Sequence, residues 1–121
     1  MMKNNNPKPI YDLEERTFQF AKECRLFIKT LHKTITNIED GKQLVRASGS
    51  VGANYIEANE ALSKKDFLMK IKISRKEAKE SAYWLRLIDE TNDLKNSDVG
   101  KLIQEATELK KILSAIIEKS K

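Results

Sequence analysis

Between Ser63 and Arg86 the chain carries eight basic residues, Lys64, Lys65, Lys70, Lys72, Arg75, Lys76, Lys79 and Arg86, against three acids, Asp66, Glu77 and Glu80. The chain's net charge is +5, so this stretch holds the whole excess and the rest sums to zero. A surplus concentrated in one stretch is a better sign of a polyanionic partner than a diffuse one, because each lysine or arginine set against a phosphate releases a condensed counterion. Tyr83 lies among these charges and offers a ring for stacking on a base. Other chemistries find little to work with. His32 is the only histidine and Cys24 the only cysteine, so there is no Cys–His pair and no ligand set for a metal. Glu57 with Glu60, and Glu77 with Glu80, stand three apart, as amphipathic helices ordinarily produce, and the Glu-x-x-His pairs of a di-metal bundle are missing. Gly49-Ser50-Val51-Gly52 lacks the Gly-Lys-Ser/Thr of a phosphate loop and no strand precedes it, so it reads as helix packing. No catalytic residue, cofactor or metal is expected, and no enzyme.

The elements that must position the basic stretch are helices. Leu13, Thr17, Phe20, Cys24, Phe27 and Leu31 form one seam, opened by Asp12 with Glu15 in a capping-box arrangement. This predicts a first helix over 12–33, on which Phe18 and Leu26 fall off the seam. A second helix is expected over 38–61, with Asn37 or Asp40 as its cap. Its propensity is poor, since each Gly in a helix interior costs about 1 kcal/mol relative to Ala. Yet Leu44, Ser48, Val51, Tyr55, Ala58 and Leu62 keep helical spacing, and Val45, Gly49, Gly52, Ile56 and Asn59 form a second file beside them. Two adjacent files of small and apolar residues imply that neighbouring helices approach closely. Ser63 caps a third helix, 64–92, with Asp66 at the capping-box position and Leu62 and Phe67 placed for a hydrophobic staple. The short turn makes helices two and three antiparallel, which sets Val51 opposite Ser74, Ser48 near Ala78 and Leu44 near Ser81. A fourth helix is expected over 97–119. The whole is an all-α, up-down-up-down four-helix bundle, with residues 1–10 a mobile tail and 11–121 one domain.

On the third helix the seam Phe67, Ile71, Ser74, Ala78, Ser81, Leu85 and Ile88 faces the core. Lys72, Arg75, Lys79 and Arg86 share one flank, with Lys65, Lys76 and Tyr83 behind them, and this is the candidate nucleic-acid edge. The alternative is a solvated lysine face. Ile73, Trp84 and Leu87 gather on the opposite flank with Glu77 and Glu80, and Trp84 points away from the bundle's inside. A row of exposed apolar side chains is expected to form a subunit interface, with Phe18 and Leu26 as its complement, unless a neighbouring helix or the N-terminal tail covers it.

Few Pro and Gly, 34% charged and 40% hydrophobic residues suit amphipathic helices. No apolar run approaches a membrane span and no N-terminal segment resembles a signal peptide, so a cytoplasmic location is expected. One cysteine without an internal partner agrees with a reducing compartment.

Several segments carry a further resemblance: Gln43-Leu44-Val45-Arg46, Ser50 to Ala58, Ser63-Lys64-Lys65-Asp66-Phe67, Glu77-Ala78-Lys79-Glu80 and Tyr83-Trp84-Leu85. Together they resemble the bacterial four-helix-bundle family associated with intervening sequences in 23S rRNA genes. The accessory variability proteins of diversity-generating retroelements are related to that family. The resemblance runs from about Glu15 to the C-terminus. It implies a ring-like homopentamer with a basic surface, nucleic-acid binding and no catalytic residues. It also implies that Asn54 and Glu57 hydrogen-bond between helices or subunits. Ala47 and Ser48 stand where the family often has Ser and Gly, and Ala82 where it often has a basic residue, which thins the basic edge. The expected function is a homo-oligomer that binds RNA or an RNA–DNA intermediate. The alternatives are an adapter docking a protein such as a reverse transcriptase, or a structural bundle without a ligand.

Overall fold

The computed structural model describes residues 12–121; the tail expected over residues 1–10 lies outside them. Four helices follow one another: α1 (Leu13–Lys29), α2 (Ile35–Asn59), α3 (Lys64–Glu90) and α4 (Val99–Lys119). Contacts run most extensively between α2 and α3, then α3 and α4, then α1 and α2, and thinly between α1 and α4. The diagonal pairs keep their backbones apart, so the helices form a square, antiparallel up-down-up-down bundle.

The caps explain the boundaries. Asp12 accepts a hydrogen bond from the Glu15 amide at 3.0 Å and opens α1 as expected. That helix stops at Lys29, short of Lys33, where the Thr30 amide and hydroxyl both turn back onto the Phe27 carbonyl. Thr34, rather than Asn37 or Asp40, caps α2, its hydroxyl accepting from the Asn37 amide at 3.1 Å. The Asn37 side chain is engaged elsewhere. It is buried, donates to the His32 carbonyl, and exchanges two amide hydrogen bonds of 2.9 Å with Asn92 beyond the end of α3. Ser63 caps α3 through the Asp66 amide at 3.0 Å. The staple does not form, because Leu62 is fully exposed at the tip of the turn.

The expected seams meet in one core. Phe20, Cys24, Leu44, Val51, Ile71, Ala78, Leu85, Ile88, Leu109 and Leu113 are buried in it. Small side chains line the α2–α3 contact, where the Ser74 hydroxyl donates to the Val51 carbonyl across the two helices at 2.6 Å. A serine reaches a facing backbone only when the helices lie close, and this bond fixes the register at the expected pair. The glycines of α2 serve the other neighbour. A Cβ on Gly52 would come within 2.8 Å of Thr17 Oγ1, one on Gly49 within 3.1 Å of the Arg25 guanidinium, and one on Gly41 within 3.4 Å of Ile28, all on α1. The glycine file of α2 therefore faces α1, while Val51 of the other file meets α3. Tight packing on both sides offsets the low helical propensity of 49–53.

Between α1 and α4 an ionic clasp adds to the shared core. Arg16 makes a fork with Glu105 at 2.7 and 2.8 Å and reaches Glu108 at 3.1 Å. The hydrogen bonds that Arg16 donates to Glu105 raise its pKa further, keeping it charged. Among the described residues no buried side-chain nitrogen or oxygen lacks a partner, and no helix is long and apolar enough to cross a membrane.

Candidate nucleic-acid interface

α3 positions the basic edge on a single rigid rod. Its inner face is locked by the core and by Ser74, so the outer side chains keep a fixed order. From Lys65 to Arg86 the edge spans roughly 30 Å at the helical rise per residue. Lys65, Lys72, Lys76, Lys79, Tyr83 and Arg86 are exposed, and Arg75 is half-buried. Among the described residues no carboxylate forms an ion pair with Lys65, Lys72, Arg75, Lys76 or Lys79. Arg86 has only a loose contact of 3.6 Å with Glu90 at the surface, which costs little to give up. Lys70 is different: it turns to α2 and holds Glu57 at 2.7 Å. The edge is therefore a row of cations whose charge is not already neutralised.

Two features of this edge were not read from the sequence. Lys65, Lys72 and Lys76 flank a shallow groove of about 460 Å³ floored by Leu68, Met69 and Ile73. Tyr83 is 57% exposed and leans edge-on against Trp84, ring centroids 5.0 Å apart at 79°. Trp84 thus braces the ring that stands among the lysines.

That contact also corrects the expectation for Trp84. It does not point away from the bundle; it is half-buried and packs against the core, and Ile73 and Leu87 are half-buried as well. The reason is the position of α2. The Ser74–Val51 and Lys70–Glu57 contacts set α2 against this flank of α3, and the flank is partly covered. Glu77 on the same flank has a pKa raised first by burial and next by the nearby Glu80. Of the two motif residues expected to bond between helices, Glu57 does so, whereas Asn54 donates to the Ser50 carbonyl of its own helix at 2.9 Å.

The more open apolar surface lies on α1 and α2. Phe18 is 61% exposed, Leu26 45% and Ile56 47%. They border a groove of about 670 Å³ whose floor includes Gly49, Gly52 and Ala53. Lys22, Arg25 and Lys29 stand along it, with Glu14 as the acid of the lining. Arg25 is fixed there by donating to the Ala21 and Val45 carbonyls. Phe18 and Leu26 were legible as residues off the α1 seam; the groove was not, because its floor comes from the glycine file of another helix.

Cys24 is fully buried, and burial pushes its thiol pKa up to about 12, so it acts as a small hydrophobe. His32 is exposed near the α1–α2 turn. Among the described residues no three His, Cys, Asp or Glu side chains gather as a metal would require.

Comparison with known proteins gives a consistent answer. The family model described as 23S rRNA-intervening sequence protein matches residues 11–115. A crystal structure of a protein of unknown function from the S23 ribosomal protein family of Bacteroides thetaiotaomicron VPI-5482 is 31% identical. It aligns with a TM-score of 0.77 over 88% of this chain and 96% of that one. No curated protein matches. Neither similarity points to an enzyme.

Proposed function

The chain belongs to the 23S rRNA-intervening sequence protein family, and from that footing we propose that it is a cytoplasmic, non-enzymatic homo-oligomer, a pentamer on the family resemblance, that binds structured RNA through the outer edge of α3. The observation that carries this reading is the uncompensated row Lys65, Lys72, Arg75, Lys76 and Lys79, held on one helix and free of carboxylate partners among the described residues. A phosphate chain laid along the row exchanges its counterions for lysines, and Tyr83, braced by Trp84, receives an unpaired base. Contacts of this kind position a backbone and read little sequence, so affinity follows charge and shape.

The experiment is charge reversal. Lys72, Lys76 and Lys79 replaced together by Glu lower the affinity for a structured RNA by at least about tenfold at moderate salt. Helical content and unfolding midpoint stay near wild type, because exposed substitutions usually change stability by less than about 0.5 kcal/mol each. Unchanged RNA affinity in the folded variant removes this edge from the binding site.

A further inference from the structure

Of the large hydrophobic side chains on α3, only Met69 and Tyr83 stay exposed, at 53% and 57%. A single exposed hydrophobe is ordinary; the placement of these two is not, because both stand within the lysine edge. Met69, Lys76 and Tyr83 follow at steps of seven residues, two helical turns each. They share one line down the helix, roughly 20 Å long. The two sides of that line differ. Lys65, Lys72 and Lys79 lie along one side, four residues before or three residues after a member of the line. On the other side, four residues on from Met69 and from Lys76, stand Ile73 and Glu80. Ile73 floors the shallow groove together with Met69 and Leu68, and Glu80 is exposed. Cations therefore border the line on one side, and apolar surface with a carboxylate borders it on the other.

We infer that this edge selects an unpaired strand over a duplex: one phosphate backbone runs along the Lys65, Lys72 and Lys79 side, and its bases turn across the line onto Met69 and Tyr83. The inference rests on the RNA half of the proposed function and narrows it to the loops, bulges and ends of a structured RNA. Two physical reasons separate the strand types. In an A-form duplex the bases are stacked inward and the major groove is too deep and narrow for side chains to read. Met69 and Tyr83 would then lie against sugars and phosphates and gain nothing. A duplex also sets a phosphate row on either side of each groove, and Glu80 would face one of them, where like charges count against binding. A single strand has one backbone, which one file of lysines matches. Its free bases stack on an aromatic ring with little regard to sequence. The 79° angle between Tyr83 and Trp84 leaves at least one face of the phenol ring clear, and Met69, flexible and polarizable, adapts to whichever base lies on it.

The test titrates the full chain with two probes at one moderate salt: an oligouridine long enough to span the edge, and the same strand annealed to oligoadenosine. The single strand binds at least about tenfold more tightly than the duplex. Tyr83→Ala cuts that preference about fivefold, and Tyr83→Phe, which keeps the ring and loses the hydroxyl, retains it. Met69→Ser cuts it about threefold. Both positions are exposed, and circular dichroism shows that the variants remain folded. If neither probe binds even at low salt, the RNA reading itself falls, and this inference with it. A duplex bound as tightly as the single strand, or a preference that both Tyr83→Ala and Met69→Ser leave unchanged, overturns the choice of strand alone and leaves the RNA reading standing.

Discussion

The inner seam and the outer edge of α3 are built by opposite rules. On the inside, Ser74, Ala78 and Ser81 are fully buried, and the Ser74 hydroxyl bonds the backbone of α2 at 2.6 Å. On the outside, Lys72, Lys76 and Lys79 are exposed and have no carboxylate partner among the described residues. The seam spends its small side chains on closeness; the edge keeps its long ones unspent. One helix thereby separates what holds the bundle together from what faces other molecules. Changes in the seam should alter stability, and changes on the edge should alter only binding.

The sharpest way to break that division is Ser74→Leu. It removes a hydrogen bond and forces three carbons into the place of one oxygen in a closed helix contact, at about 3 kcal/mol. The thermal midpoint should fall by roughly 10–20 °C, as read by circular dichroism. A near-neutral result would mean that α2 and α3 are not closely packed. Next in size is a contrast between two glycines. Gly52→Ala gains about 1 kcal/mol of helix propensity but presses its new methyl against Thr17, where overpacking costs about 1–3 kcal/mol. A net loss is expected. Gly100 has open space about its Cα, so Gly100→Ala should be neutral or stabilising by up to about 1 kcal/mol. Denaturant titration of both variants checks the opposite signs. The smallest effect is expected at the ionic clasp between α1 and α4, which adds to the core the two helices share. Arg16→Ala should cost about 1 kcal/mol or less, since Arg16 and its carboxylates are partly exposed. Amide exchange should quicken in α1 before it does in α3.

How much of this was legible in the sequence depended on range. Asp12 and Ser63 act within one turn, and their caps were readable from spacing. The Val51–Ser74 register followed from a short turn and two seams. Thr34 was missed because Asn37 and Asp40 are equally capable caps by type, and Asn37 is claimed by Asn92, 55 positions away. Trp84 shows the same limit: periodicity names the side of a helix a residue occupies, not whether a neighbour covers that side. The lysine edge was visible because all of it lies on one helix. The α1–α2 groove was hidden because its wall and floor come from two. The glycines were readable as helix packing without a named neighbour, and it took three dimensions to give them to α1.

The most direct test of the edge is the salt dependence of RNA affinity for the intact chain and for the Lys72, Lys76 and Lys79→Glu variant. Binding governed by the edge predicts that log affinity falls linearly with log salt, by about 0.7–0.9 per phosphate contacted, with the variant's slope shallower by roughly 2 to 3. Equal slopes for the two proteins, or an affinity indifferent to salt, would contradict it.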